Sequence, residues 1–151
     1  KKLSSTSDMV GKVSFFGKTI TGLSDDVRIS KRLNIPASRL RGFQRGKVGP
    51  VENSDYIGGN YVSSLNFSAT LPNIVEGLDN LDVGVFVDAA NVWGVDYDSS
   101  IDDKSTLRSS TGVALNLMTP IGPLSFSFAN TLSKASTDKT ETFRFNLGTQ
   151  F

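Results

Sequence analysis

Cysteine and histidine are both absent from this chain of 151 residues. That excludes Cys/His metal centres and any mechanism in which an imidazole moves a proton. A chain without thiols also suits an oxidising compartment. A charge excess of one sign is missing as well. The 16 basic and 15 acidic residues leave a net charge of +1, so no field draws the chain to nucleic acid. Hydrophobic residues make up 38%, and no run approaches the ~20 apolar residues of a membrane-spanning helix. There is no Ser/His/Asp set and no phosphate-cradling glycine motif. We therefore expect no enzyme, no cofactor and no metal. The acidic cluster Asp96, Asp98, Asp102 and Asp103 lacks the spacing of a calcium-binding loop and reads as a solvated outer loop. A signal peptide is not visible either, and the first residue is Lys1. An exported C-terminal fragment of a longer chain is the expectation.

What the chain does have is alternation. Its last ten residues place Phe143, Phe145, Leu147 and Phe151 at apolar positions, with Arg144, Asn146, Gly148 and Gln150 between them. Side chains alternate across a strand, so one face is apolar and the other polar. The same pattern recurs upstream over Val10 to Ile20, where Phe16 breaks it, and over Asn60 to Leu71. It recurs again over Leu81 to Ala90, Leu107 to Met118 and Leu124 to Ala129. Helical periodicity is poor throughout, and Gly and Ser dominate the joints.

Long and short connections alternate along the chain. The short turn Thr119-Pro120-Ile121-Gly122-Pro123 suits a sharp reversal, since Pro fixes φ and Gly permits unusual backbone angles. Alternating strands, long and short joints and an aromatic final residue together predict an all-β fold in an outer membrane. The chain would supply six or so antiparallel strands of a transmembrane β-barrel, with apolar side chains toward lipid and polar ones toward a wet lumen. Six strands cannot close such a barrel, because bacterial ones start at eight and open edges are not tolerated in lipid. About ten further strands or a partner sheet are expected to complete it, giving about sixteen strands in all. If the short turn is periplasmic, Phe151 ends at the periplasmic side. Trp93 and Tyr97 fit an interfacial aromatic girdle.

The long joint over residues 21–59 contains Leu40-Arg41-Gly42-Phe43, then Val48-Gly49-Pro50 and Ile57-Gly58-Gly59-Asn60. A loop of this length is functional or disordered, and its Gly, Pro and aromatic content suggests a folded one. Further blocks follow in order: Phe86-Val87-Asp88-Ala89-Ala90-Asn91-Val92-Trp93, then Leu107 to Gly112 with Thr119 to Leu124, then Phe143 to Phe151. Together these resemble the BamA-type family of outer-membrane β-barrel assembly factors, within the wider superfamily of outer-membrane insertases and translocators. The resemblance covers roughly residues 39 to 151.

The resemblance implies that Arg41, Gly42 and Phe43 are the signature of a loop that folds into the barrel lumen. It implies that Arg41 meets Asp88, which shares a strand face with Phe86. It also implies that Phe143, Phe145, Leu147, Gly148 and Phe151 form a terminal sorting signal and a weakly paired seam. Two positions depart from the family pattern. Ala90 stands where a glycine is expected, and Asn66 where an acidic residue is common, so Arg41 is expected to have one anionic partner. The implied partners are nascent outer-membrane barrel proteins, accessory assembly lipoproteins and the lipid bilayer. The implied activity is insertion of barrel proteins. A sister translocator and a passive porin remain the alternatives.

Overall fold

The computed structural model of the chain describes residues 9–72 and 80–148. Among these residues six strands form one sheet in the order β1 (Val10–Thr19), β4 (Tyr61–Pro72), β5 (Leu81–Trp93), β6 (Arg108–Thr119), β7 (Gly122–Ser133) and β8 (Phe143–Leu147). Every neighbouring pair is antiparallel. The connection from β1 to β4 carries two short 3-10 turns, Ile29–Lys31 and Ala37–Arg39, and a small hairpin of β2 (Val51–Glu52) and β3 (Asp55–Tyr56). Among the described residues there is no α-helix.

The distribution of side chains is inverted relative to a water-soluble sheet. Val13, Phe15, Leu65, Phe67, Val85, Val87, Val113, Phe128, Phe143, Phe145 and Leu147 are all exposed. Ser64, Asp88, Arg108, Ser110 and Ser127 are buried. Alternation puts these two sets on opposite faces, and the long connection covers the polar one. An apolar band of that extent is stable only against a nonaqueous medium. Among the described residues, buried apolar side chains pack in two small clusters under the loop. Leu40, Phe43, Val48 and Ala90 form one, and Leu33, Val62 and Val92 form the other.

Several boundaries differ from the sequence expectation, each for a local reason. The strand expected to end at Ala90 continues to Trp93. Its Ala90 and Val92 lie beneath the loop, where buried positions turn apolar and the polarity alternation fails. The strand expected over Leu124 to Ala129 runs from Gly122 to Ser133. Asn130 interrupts its apolar face and hides the continuation. The joint read as Thr119 to Pro123 shrinks to Pro120-Ile121, because Thr119 pairs with Gly122 and Met118 with Pro123. Gly122 there has φ +120°, a conformation that glycine adopts without steric cost. Phe16, the exception in the first strand, packs on the Leu33/Val62/Val92 cluster and so belongs to the loop's footing. The terminal strand is described as Phe143–Leu147. The expectation at Phe151 lies outside the described residues.

Candidate functional site

The strand register builds the site. Ser14 pairs with Asn66, Asn66 with Asp88, Asp88 with Ser110, and Ser110 with Thr131. Five polar side chains from five consecutive strands thus form one row across the polar face. The loop tip runs along this row, nearly one residue per strand. Arg39 donates from its guanidinium to Ser14 Oγ, and its carbonyl accepts from Asn66 Nδ2 at 2.7 Å. Arg41 meets Asp88, Ser110 donates its hydroxyl to the Arg41 carbonyl, and Thr131 donates to the Gly42 carbonyl at 3.2 Å. Row and tip each supply the groups that the other lacks, so the position of the loop is specified by hydrogen bonding.

Asp88 is the centre of this arrangement and has no solvent exposure. Its two carboxylate oxygens accept from Arg41 Nε and Nη2, both at 2.7 Å, in the bidentate geometry that suits a guanidinium. The Arg41 backbone N–H adds a third bond at 3.1 Å and Asn66 Nδ2 a fourth at 2.9 Å. The Arg41 guanidinium also stacks over the Phe86 ring, 3.6 Å from its centroid, a cation–π contact that strengthens away from water. Gly112 leaves room for that ring, since a Cβ at 112 would come within 2.8 Å of Phe86 and 2.0 Å of the Phe128 carbonyl. Gly42 has φ +86°, and a Cβ there would sit 3.0 Å from the Ala129 Cβ. Phe43, 1% exposed, anchors the Leu40/Val48/Ala90 cluster.

The structure therefore brings Arg41, Gly42, Phe43, Phe86 and Asp88 together. It also explains the two departures. Asn66 does not act as a second partner of Arg41. Its amide donates to Asp88 and to the Arg39 carbonyl, a role that a carboxylate could not fill without a proton. Ala90 spends its methyl group on packing against the loop.

Two further ion pairs hold the same loop, and neither was read from the sequence. Arg108 and Asp138 are both buried, with Nε 2.9 Å from Oδ2. Asp138 also accepts from the Gly49 amide at 3.1 Å and the Ala135 amide at 2.7 Å. Arg108 donates in addition to Asn91 Oδ1 at 2.8 Å. Three segments, the long loop, β6 and the β7–β8 joint, meet at this pair. Arg108 could have been found from its phase with Ser110 and Gly112, whereas Asp138 lies in a joint without periodicity.

The third pair joins Arg32 to Asp96, with Arg32 also donating to Asn60 Oδ1 at 2.8 Å and the Val27 carbonyl at 2.9 Å. Partial burial opposes ionisation of Asp96. Hydrogen bonds from Arg32, Asn60 and the Val27 amide outweigh it and bring the carboxyl down to about 2. Asp96 is thus a tether, not the solvated loop acid expected. Asp98, Asp102 and Asp103 accept from the amides of Ser100, Lys104 and Val95 and shape their own turn. The aromatic girdle needs a similar correction. Trp93 stacks on exposed Tyr61 with ring centroids 5.6 Å apart. Tyr97 turns to the loop instead, donating to Glu52 beneath the Arg32 guanidinium.

At the terminal strand, Phe143, Phe145 and Leu147 are exposed on the apolar face. Phe143 and Phe145 pack on the rings of Phe126 and Phe128. β8 spans five residues where β7 and β6 each span twelve. Gly148 follows at φ +107° with nothing near its Cβ position, so backbone angle and not space demands glycine there.

A sheet that keeps its ion pairs inside and its aromatic rings outside is built for lipid, and its class is a segment of a transmembrane β-barrel. Comparison with known proteins sharpens this. The Omp85 superfamily domain matches residues 3–151, and the chain belongs to the Omp85 superfamily. It is similar to the outer membrane protein assembly factor BamA of Neisseria meningitidis serogroup B, at 32% identity over 74% of this chain and 17% of that protein. It is also similar to BamA of Neorickettsia risticii, at 29% identity over 76% of this chain and 16% of that protein. Its fold matches the crystal structure of BamA from Haemophilus ducreyi lacking POTRA domains 1–3. The TM-score is 0.80 at 29% identity, covering 95% of this chain and 32% of that one. The chain spans about a sixth of the length of these curated relatives. The expected fold, part of a BamA-like barrel of an outer membrane, is borne out.

Proposed function

We propose that the chain is the C-terminal part of the barrel of an outer-membrane insertase, which folds and inserts other barrel proteins without catalysing a covalent reaction. The observation that carries this reading is the Arg41–Asp88 pair, which fixes the long loop across the inner face beside a short terminal strand. Unpaired backbone groups in lipid cost several kcal/mol each. A strand held by few ladder bonds therefore sits close to the balance between staying paired and accepting a new neighbour. Such an edge serves as a template on which a client strand adds by β-augmentation. In this reading Arg41, Gly42, Phe43, Phe86 and Asp88 hold the loop that supports the barrel wall. Phe143, Phe145, Leu147, Gly148 and Phe151 form this chain's side of the seam, with the C-terminus on the periplasmic side. The clients are nascent outer-membrane barrel proteins, and accessory lipoproteins are partners of the complete machine.

The test is insertion of a client barrel into liposomes by the full-length parent carrying Arg41→Ala, Asp88→Ala or both, after heat-modifiability has shown a folded barrel. Insertion that falls in each variant supports the reading. Undiminished insertion in all three removes the loop from the mechanism. A folded parent that inserts no client, even with its accessory factors, moves the assignment to a translocator of the same superfamily. Steady ion conductance in planar bilayers would favour a porin.

A further inference from the structure

Arg144 is the polar-face residue of β8, opposite Ser127, and its side chain is 12% exposed. Its guanidinium donates in three directions: Nη1 to the Ala37 carbonyl at 2.6 Å, Nη2 to the Phe43 carbonyl, and Nε to the Glu141 carboxylate. Ala37 and Phe43 bracket Arg41, so one planar fork grips both ends of the loop tip. The tip also pairs with the backbone just ahead of β8. The Glu141 amide donates to the Gly42 carbonyl at 3.0 Å, Gln44 to Lys139 at 2.9 Å, and Lys139 to Lys47 at 3.0 Å. Phe43 and Thr140 form an antiparallel bridge between these bonds. Loop tip and strand entry are thus a single hydrogen-bonded patch.

We propose that Arg144 is a positioning residue that couples the long loop to the terminal strand. It holds the Phe143 end of β8 to the loop tip, so that loop docking and pairing of this end of the strand depend on one another. Among the described residues the ladder between β7 and β8 covers five residue pairs. Three charge-assisted bonds from one side chain are a large addition to so short a ladder. At the other end of the described strand, Gly148 turns out of the extended conformation at φ +107° while its amide donates to the Pro123 carbonyl at 2.9 Å. The Phe143 end thus carries bonds to the loop tip in addition to its own ladder. The purpose of the coupling rests on the insertion reading, but its test does not.

The experiment is amide hydrogen exchange on the full-length parent in liposomes, without any client, comparing the unmodified protein with Arg144→Gln. Exchange at Glu141 and over Phe143–Leu147 is expected to accelerate about tenfold or more. The Arg41 amide, held by Asp88, should keep its protection. Arg144→Lys, with one ammonium in place of the fork, should fall between the two and serves as the readout if the glutamine variant does not fold. The described chain has no cysteine, so Gln44→Cys with Lys139→Cys adds a defined disulfide between tip and strand entry. In the Arg144→Gln background that disulfide should restore slow exchange, and reduction should abolish the rescue. Unchanged exchange over β8, or loss of protection that the disulfide does not repair, overturns the coupling. Since no client is present, a failure of insertion in a separate assay refutes only the functional reading.

Discussion

Replacing Asp88 by alanine leaves three donors stranded beneath the loop. The Arg41 guanidinium loses both of its 2.7 Å bonds, the Arg41 amide loses its acceptor, and Asn66 loses one of its two. Breaking one half of a buried pair costs about 3–5 kcal/mol because the remaining charge is uncompensated. The Arg41 side chain is 19% exposed, and water that reaches it offsets part of that loss. The orphaned amide adds about 1–3 kcal/mol. The expected cost to loop docking is about 4 kcal/mol, or roughly a thousandfold in the docking equilibrium. Arg41→Ala should cost at least as much, since it strands a carboxylate with no solvent access. Arg41→Lys should cost less, keeping the charge while losing the fork and the stack on Phe86. Hydrogen exchange of the Gln44 amide, which donates to the Lys139 carbonyl and not to Asp88, measures these shifts in the full-length parent. The Arg41→Ala/Asp88→Ala double variant should cost clearly less than the two singles added together. A change below about tenfold in Asp88→Ala, or strict additivity in the double, would refute the argument that this pair holds the loop.

Gly42→Ala should destabilise docking by about 1–3 kcal/mol, because an L side chain at φ +86° is strained and its Cβ would crowd Ala129 and Ser110. The same exchange measurement reads it. Asp138→Ala should release the β7–β8 joint from the long loop at a cost of about 3–5 kcal/mol. New protease cleavage between residues 134 and 142 would reveal that release. The Asp96 carboxyl, lowered from 3.8 to about 2, makes the tether at the β5–β6 joint sensitive to acid. A depressed carboxylate contributes its full stabilisation above its unfolded pKa and loses it as pH falls through the folded one. Protection of the Val27 amide should therefore persist at pH 5 and decline between about pH 4 and 2. Arg32→Gln should move that decline toward the upper end of the window.

Strand count, direction and facing were legible because a barrel wall obeys one rule along its length, apolar out and polar in. That rule placed Asp88 in phase with Phe86 and put Arg108 with Ser110 and Gly112. It failed where the loop covers the wall, since Ala90 and Val92 sit on the inner face yet pack against Leu40 and Leu33 clusters. It failed again at Asn130, a polar residue on the outer phase. The core of the site, Arg41 with Asp88, was found through family resemblance supported by strand phase. Asp138, Arg32 and Arg144 were missed because their partners are loop residues or backbone carbonyls, and a carbonyl leaves no mark in a sequence. Asn66 was read correctly as leaving Arg41 one anionic partner, but its own role stayed hidden for a related reason. Its chemistry as a donor follows from what Asp88 and Arg39 lack, which only the register discloses.

A loop that crosses the inner face of such a wall has little apolar surface to grip, because the hydrophobic side chains of the strands are committed to lipid. What the wall offers instead is a row of hydroxyls, amides and a carboxylate at fixed spacing. Binding to that row is directional. A shift of the tip by one residue would take Arg41 away from Asp88 and the Gly42 carbonyl away from Thr131, and would drive a side chain into the space that Gly42 leaves beside Ala129. Buried ion pairs are poor sources of net stability compared with well-packed apolar contacts. Their value here is that they admit few alternatives. Placing one such pair at the tip, one at the β7–β8 joint and one at the β5–β6 joint fixes the long connection at three separated points. The loop is thereby specified in position more sharply than it is stabilised.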